Sequence, residues 1–116
     1  MPITKQQFEL GINAEIEQLM RDIAGFLEEH KEEAFTLEEL WSLLDDSSEF
    51  SYPPNLSATE LAHMPPPESE PQKAEAHRFA YALSKLVDHG VVHERMVRGG
   101  SYYALGVTRL TQVLKS

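Results

Sequence analysis

The sequence predicts an α+β fold, mainly helical with one small β-hairpin. Apolar residues recur at spacings of three and four over 4–30, 36–44 and 72–89, the period of an amphipathic helix. Residues 91–105 change to β-branched and aromatic types on either side of Gly99-Gly100, as a hairpin requires. The length of 116 residues suits one domain with a modest core.

The amino-terminal segment starts with Thr4 and Gln7, a capping-box pair in which each side chain satisfies the other residue's backbone donor. Phe8, Ile12, Ile16, Leu19, Met20, Ile23, Phe26 and Leu27 then form one stripe, so a long helix is expected over 4–30, with Gly11 and Asn13 as the places where it would break. A helix of roughly 25 residues spans about 37 Å, longer than a small domain needs, and its first third is expected to reach a second subunit or to fold back on its own core. Glu28, Glu29, Glu32 and Glu33 close it with a solvated acidic run that opposes the helix dipole and gains little from it.

Ala34-Phe35-Thr36 reads as a short strand. A second capping box, Thr36 with Glu39, leads into a second helix over 36–44, with Leu37, Leu40, Trp41 and Leu44 as its stripe. Trp41 is the only tryptophan and is expected to anchor the core beneath the 72–89 helix.

The segment 45–71 differs from its surroundings. It holds six acids, six prolines and no Lys or Arg, which favours stiff, extended backbone. Ser57 with Glu60 ahead of Leu61 and Ala62 marks one short helical turn inside it. An insertion of this length is commonly functional or disordered. Phe50, Tyr52, Leu56, Leu61 and Met64 argue that it folds onto the domain or onto a partner.

On the helix expected over 72–89, Ala76, Phe79, Ala80, Leu83, Leu86 and Val87 share one face, with Ala82 at its edge. Lys73, His77, Arg78, Tyr81, Ser84, Lys85 and Asp88 lie opposite. Pro71 suits its start and Gly90 its left-handed stop. In the hairpin over 91–105, a turn centred on Gly99-Gly100 would pair Arg98 with Ser101, Val97 with Tyr102 and Met96 with Tyr103. Val92, Met96, Tyr103 and Leu105 would then face the core, and His93, Arg95, Val97 and Tyr102 the solvent. Val107, Leu110, Val113 and Leu114 outline a last short helix over 108–115 that Thr108 would cap.

Leu83-x-x-Leu86-x-x-x-Gly90-Val91-Val92, followed by a basic glycine turn and Tyr102-Tyr103-x-Leu105, resembles the bacterial winged helix-turn-helix regulators of the PadR, ArsR and MarR groups. With Phe35 to Leu44 as the preceding strand and helix, the likeness covers about 60 residues and points to the superfamily rather than to one group. It implies a transcriptional regulator that reads a two-fold site in double-stranded DNA as a homodimer, with 72–89 as recognition helix and 91–105 as wing. His77, Arg78, Tyr81 and Lys85 would enter the major groove, with the forked guanidinium of Arg78 suited to guanine. Lys73, Arg95 and Arg98 would meet phosphate, or Arg98 at the wing tip would reach the minor groove. The insertion departs from the family pattern, in which a turn of about 3–4 residues joins the two helices.

Charge bears on this reading. The net charge is −9, but residues 1–70 carry 16 acids against 3 bases, and residues 71–116 carry 3 against 7. The basic excess thus lies in the half assigned to DNA, where phosphate contacts are needed. The pI near 4.9 and the acidic insertion support the alternative, a winged-helix protein-interaction module that uses its acidic first half or 45–71.

Enzyme and cofactor readings find little footing. The chain has no cysteine, which excludes disulfides, thiolate metal sites and thiol nucleophiles. It has no glycine-rich phosphate loop, no Gly-x-Ser-x-Gly and no His-Glu-x-x-His. His89 and His93, with His77 or Asp88, are the one conceivable metal group, but Gly90 separates a helix end from a strand between them. No apolar run nears the roughly 20 residues of a membrane span and no signal segment opens the chain, so no membrane partner and a cytoplasmic location are expected.

Overall fold

The computed structural model describes residues 3–44, 57–63 and 71–114, the last stretch with side chains from residue 74 onward. Among the described residues, six helices and a three-stranded antiparallel sheet follow in the order α1 (Lys5–Leu10), α2 (Ala14–Glu29), β1 (Phe35–Thr36), α3 (Leu37–Leu44), α4 (Ala58–Ala62), α5 (Pro71–Asp88), β2 (Val92–Val97), β3 (Gly100–Leu105) and α6 (Leu110–Val113). The class is α+β.

The expected continuous helix over 4–30 is two helices. Thr4 and Gln7 do form a capping box at the start of α1, both bonds at 3.0 Å. Gly11 then takes a left-handed φ of 74°, and its N–H returns to the Phe8 carbonyl, which ends the helix. Asn13 starts α2 by accepting from the Ile16 N–H at 3.0 Å. The break separates the two halves of the stripe: Ile12 is buried, whereas Phe8 is 73% exposed. Helix α2 buries Ile16, Met20, Ile23, Ala24 and Leu27, one face at helical spacing.

Thr36 and Glu39 make the second capping box, with bonds of 2.9 and 3.2 Å, and α3 buries Leu37, Leu40 and Trp41. The Trp41 ring meets Phe79 of α5 edge-on, with centroids 5.3 Å apart, so it anchors the core beneath α5 as its sequence setting predicts. Within the expected insertion, Ser57 caps α4 by accepting from the Glu60 N–H at 3.1 Å. The rest of that insertion, 45–56 and 64–70, lies outside the described residues.

Helix α5 buries Ala76, Phe79, Ala80, Ala82, Leu83 and Leu86. Ser84, expected on the opposite face, is buried as well, its hydroxyl donating to the Tyr81 carbonyl at 2.7 Å. The helix stops as predicted: Gly90 adopts φ 77°, and the Val91 N–H reaches back to the Leu86 carbonyl at 3.0 Å.

The sheet order is β1-β3-β2, with Phe35 opposite Tyr103 on one side of β3 and Glu94 opposite it on the other. The hairpin register differs from the expected one by two residues. Arg98 (φ 52°) and Gly99 (φ 85°) occupy the turn, and Val97 pairs with Gly100. A slip of two keeps every side chain on its face, so Val92 and Tyr103 are buried and His93 and Arg95 exposed, as expected. Met96 is the exception. It pairs with Ser101 at the outer end of the hairpin and is 73% exposed.

Residue 106 closes the hairpin onto the end of α5. The Gly106 N–H donates to the Val91 carbonyl at 2.7 Å and the Thr108 N–H to the Gly90 carbonyl at 3.2 Å. Thr108, expected to cap the last helix, is engaged here instead, and Arg109 precedes α6. Lys115 lies outside the described residues.

Candidate nucleic-acid interface

The seven residues expected to contact DNA are divided between two parts of the molecule. Arg95 and Arg98 stand exposed on the β2–β3 hairpin, Arg98 at its tip, and neither forms an ion pair with a described residue. They flank the exposed Met96 and Val97, which makes the tip both basic and apolar.

The α5 residues are more engaged than an outward-facing row would be. Arg78 Nε lies 3.5 Å from Glu15 Oε2 of α2, with the two side chains 40% and 72% exposed. The Tyr81 hydroxyl donates to the Gly11 carbonyl at 2.5 Å. Lys85 Nζ sits 5.2 Å from the centre of the Tyr81 ring, a cation–π contact, and close enough to Gly11 that a Cβ there would meet it at 3.2 Å. His77 is half-buried and has a partner of its own. Lys73 belongs to α5, but its side chain lies outside the described residues.

The expectation of a wholly outward basic face is therefore corrected for Arg78, Tyr81 and Lys85. The physical reason is the helix break: with Gly11 turning the chain, the α1–α2 corner lies against α5 where a straight helix would have continued past it. All three side chains stay partly open to solvent.

A polar link lies behind the hairpin. The buried Tyr103 hydroxyl donates to Glu94 Oε2 at 2.5 Å and accepts from the Ala58 N–H at 2.8 Å. One phenol thus ties α4 to both long strands. Burial, and then the bond to the Glu94 carboxylate, push the Tyr103 hydroxyl's pKa well above its ordinary value, so it is held neutral. No local sequence pattern marks this pairing, since Ala58 and Tyr103 are 45 residues apart.

His89 is half-buried at the end of α5 and His93 is exposed on β2. Among the described residues, no group of three or more His, Asp or Glu is placed to hold a metal ion. No described helix is long and apolar enough to cross a membrane. Comparison of the chain with family models, with curated proteins and with solved structures gave no match.

Proposed function

We propose that this protein is a winged helix-turn-helix module that binds double-stranded DNA, and that as a homodimer it reads a two-fold site. The support for the fold is the chain path α2-β1-α3-α5-β2-β3 with the sheet order β1-β3-β2, which seats a hairpin beside the carboxyl end of α5. The observation that carries the DNA reading is the pair of exposed guanidinium groups on that hairpin, Arg95 and Arg98, neither matched to an acid among the described residues. A guanidinium fork suits phosphate oxygens and a groove of negative potential.

In this reading the wing makes the first contact, and α5 supplies His77, Arg78, Tyr81 and Lys85 from its half-exposed side. The Arg78–Glu15 pair does not bar this role. Exposed ion pairs contribute about 0–1 kcal/mol, so exchanging Glu15 for a phosphate costs little. The charge asymmetry, acidic over 1–70 and basic over 71–116, then orients the molecule as it approaches the duplex.

Fluorescence anisotropy of a labelled mixed-sequence duplex across a salt series tests the proposal. Binding that weakens steeply with salt supports it, because each phosphate neutralised releases counterions. Absence of binding at low salt discards it in favour of the second reading, a protein-interaction module. That reading has its own observation: Met96 is 73% and Val97 51% exposed at the hairpin tip, the kind of apolar surface that a protein partner covers.

A further inference from the structure

A cleft of about 410 Å³ opens between α2, α3 and α5, away from the hairpin. Its apolar lining comes from Leu19 of α2, Trp41 and Leu44 of α3, and Phe79 of α5. Its volume falls in the range of sites that enclose small organic molecules, roughly 300–1,000 Å³. An apolar interior with a few convergent polar groups is the usual composition of such sites.

The polar groups at the mouth decide the class of ligand. Glu15, Asp22 and Glu75 contribute carboxylates and Arg78 the one guanidinium. That guanidinium is already matched to Glu15 at 3.5 Å, and Asp22 accepts only the neutral amide of Gln18, at 2.9 Å. Glu75 is exposed and has no hydrogen-bond or ion-pair partner among the described residues. Among the described residues, two carboxylates therefore remain uncompensated beside an apolar lining. An anion would meet both of them, and a neutral apolar molecule would leave them unused.

We infer that this cleft binds a small organic cation, its apolar body against Leu19 and Leu44 above the buried Trp41 and Phe79 rings and its positive charge beside Asp22 and Glu75. The inference differs from the DNA reading in its site: no residue of the hairpin takes part, and Arg78, which borders the cleft, is the residue the two readings share.

Trp41 is the only tryptophan and lines the cleft, so its emission reports on an occupant. The full-length protein is titrated with benzyltrimethylammonium, with neutral benzyl alcohol and with anionic 3-phenylpropionate, in the absence of DNA. The expected result is a saturable change in Trp41 emission with the cation, at an affinity at least about tenfold above that for the alcohol, with the anion weakest. Asp22→Asn and Glu75→Gln, both at exposed helical positions, each weaken the cation about fivefold, equivalent to about 1 kcal/mol, and leave the alcohol unchanged. Equal affinity for cation and alcohol, tighter binding of the anion, or no saturable change overturns the inference. The cation-to-alcohol ratio in the unaltered protein decides this even if a variant folds poorly. The ligand titrations contain no duplex, so their outcome stands whether or not the protein binds DNA, and the two proposals fail or survive separately.

Discussion

Replacing Gly106 with Ala tests how the hairpin is seated on α5. A Cβ at residue 106 would overlap the Gly90 carbonyl oxygen and lie 2.9 Å from the carbonyl carbon and oxygen of Val91. These are backbone atoms, so no side chain can swing aside, and a relief of roughly 1 Å has to come from the chain path itself. The same approach carries the bonds from Gly106 to Val91 at 2.7 Å and from Thr108 to Gly90 at 3.2 Å. Overpacking of this kind costs about 1–3 kcal/mol, and weakening the two bonds adds about 1 kcal/mol, for a loss of about 2–4 kcal/mol. Against a typical stability of about 5–15 kcal/mol this lowers the melting temperature by on the order of 10 °C. Gly25→Ala is the control. Gly25 is exposed in α2 with nothing within 4 Å of an added Cβ, and Ala should stabilise the helix by about 0.5–1 kcal/mol. Urea titrations followed by circular dichroism would measure both. A Gly106→Ala protein as stable as the unaltered one would refute the close approach, and with it the placement of the hairpin against α5.

Three further substitutions probe the rest of the structure. Trp41→Ala removes the buried ring that meets Phe79 and should cost about 3–5 kcal/mol, read from the urea midpoint by circular dichroism. Tyr103→Phe strands the Ala58 N–H and should cost about 1–3 kcal/mol. Because the Tyr103 pKa is raised on folding, its share of the stability is present below the ordinary tyrosine value, about 10, and is lost as pH rises beyond it. Urea midpoints at stepped alkaline pH should therefore fall faster for the unaltered protein than for Tyr103→Phe. Arg78→Ala should change stability by less than about 1 kcal/mol, since its bridge to Glu15 is largely exposed; a larger loss in a thermal melt would mean that the arginine belongs to the core.

What the sequence revealed was whatever short-range chemistry decides. The capping pairs Thr4–Gln7, Thr36–Glu39 and Ser57–Glu60 each lie three residues apart, and each starts a helix where expected. Gly90 ends α5 for a reason contained in one residue's backbone freedom, and the period of two placed Val92 and Tyr103 on the buried face. The misplaced features depend on distant partners. Gly11 and Asn13 marked a break in the first helix, but the contact made there, with the Tyr81 hydroxyl, spans 70 residues. Two adjacent glycines suggested a turn centred on both, whereas the turn takes Arg98 and Gly99 and sets Glu94 opposite Tyr103. The candidate interface was legible in the same proportion. Arg95 needed only strand alternation to be placed outside and Arg98 only its place at the turn, whereas the engagement of Arg78, Tyr81 and Lys85 depends on where the α1–α2 corner lies.

DNA binding through the hairpin is decided by comparing the unaltered protein with an Arg95→Ala/Arg98→Ala variant on the labelled duplex, as a function of salt. The variant should keep its fold and bind more weakly. Its plot of log affinity against log salt should be shallower by about 1.8, at about 0.9 for each of the two phosphates no longer neutralised. An identical slope and affinity would contradict the proposed function, because the hairpin would then neutralise no phosphate at all.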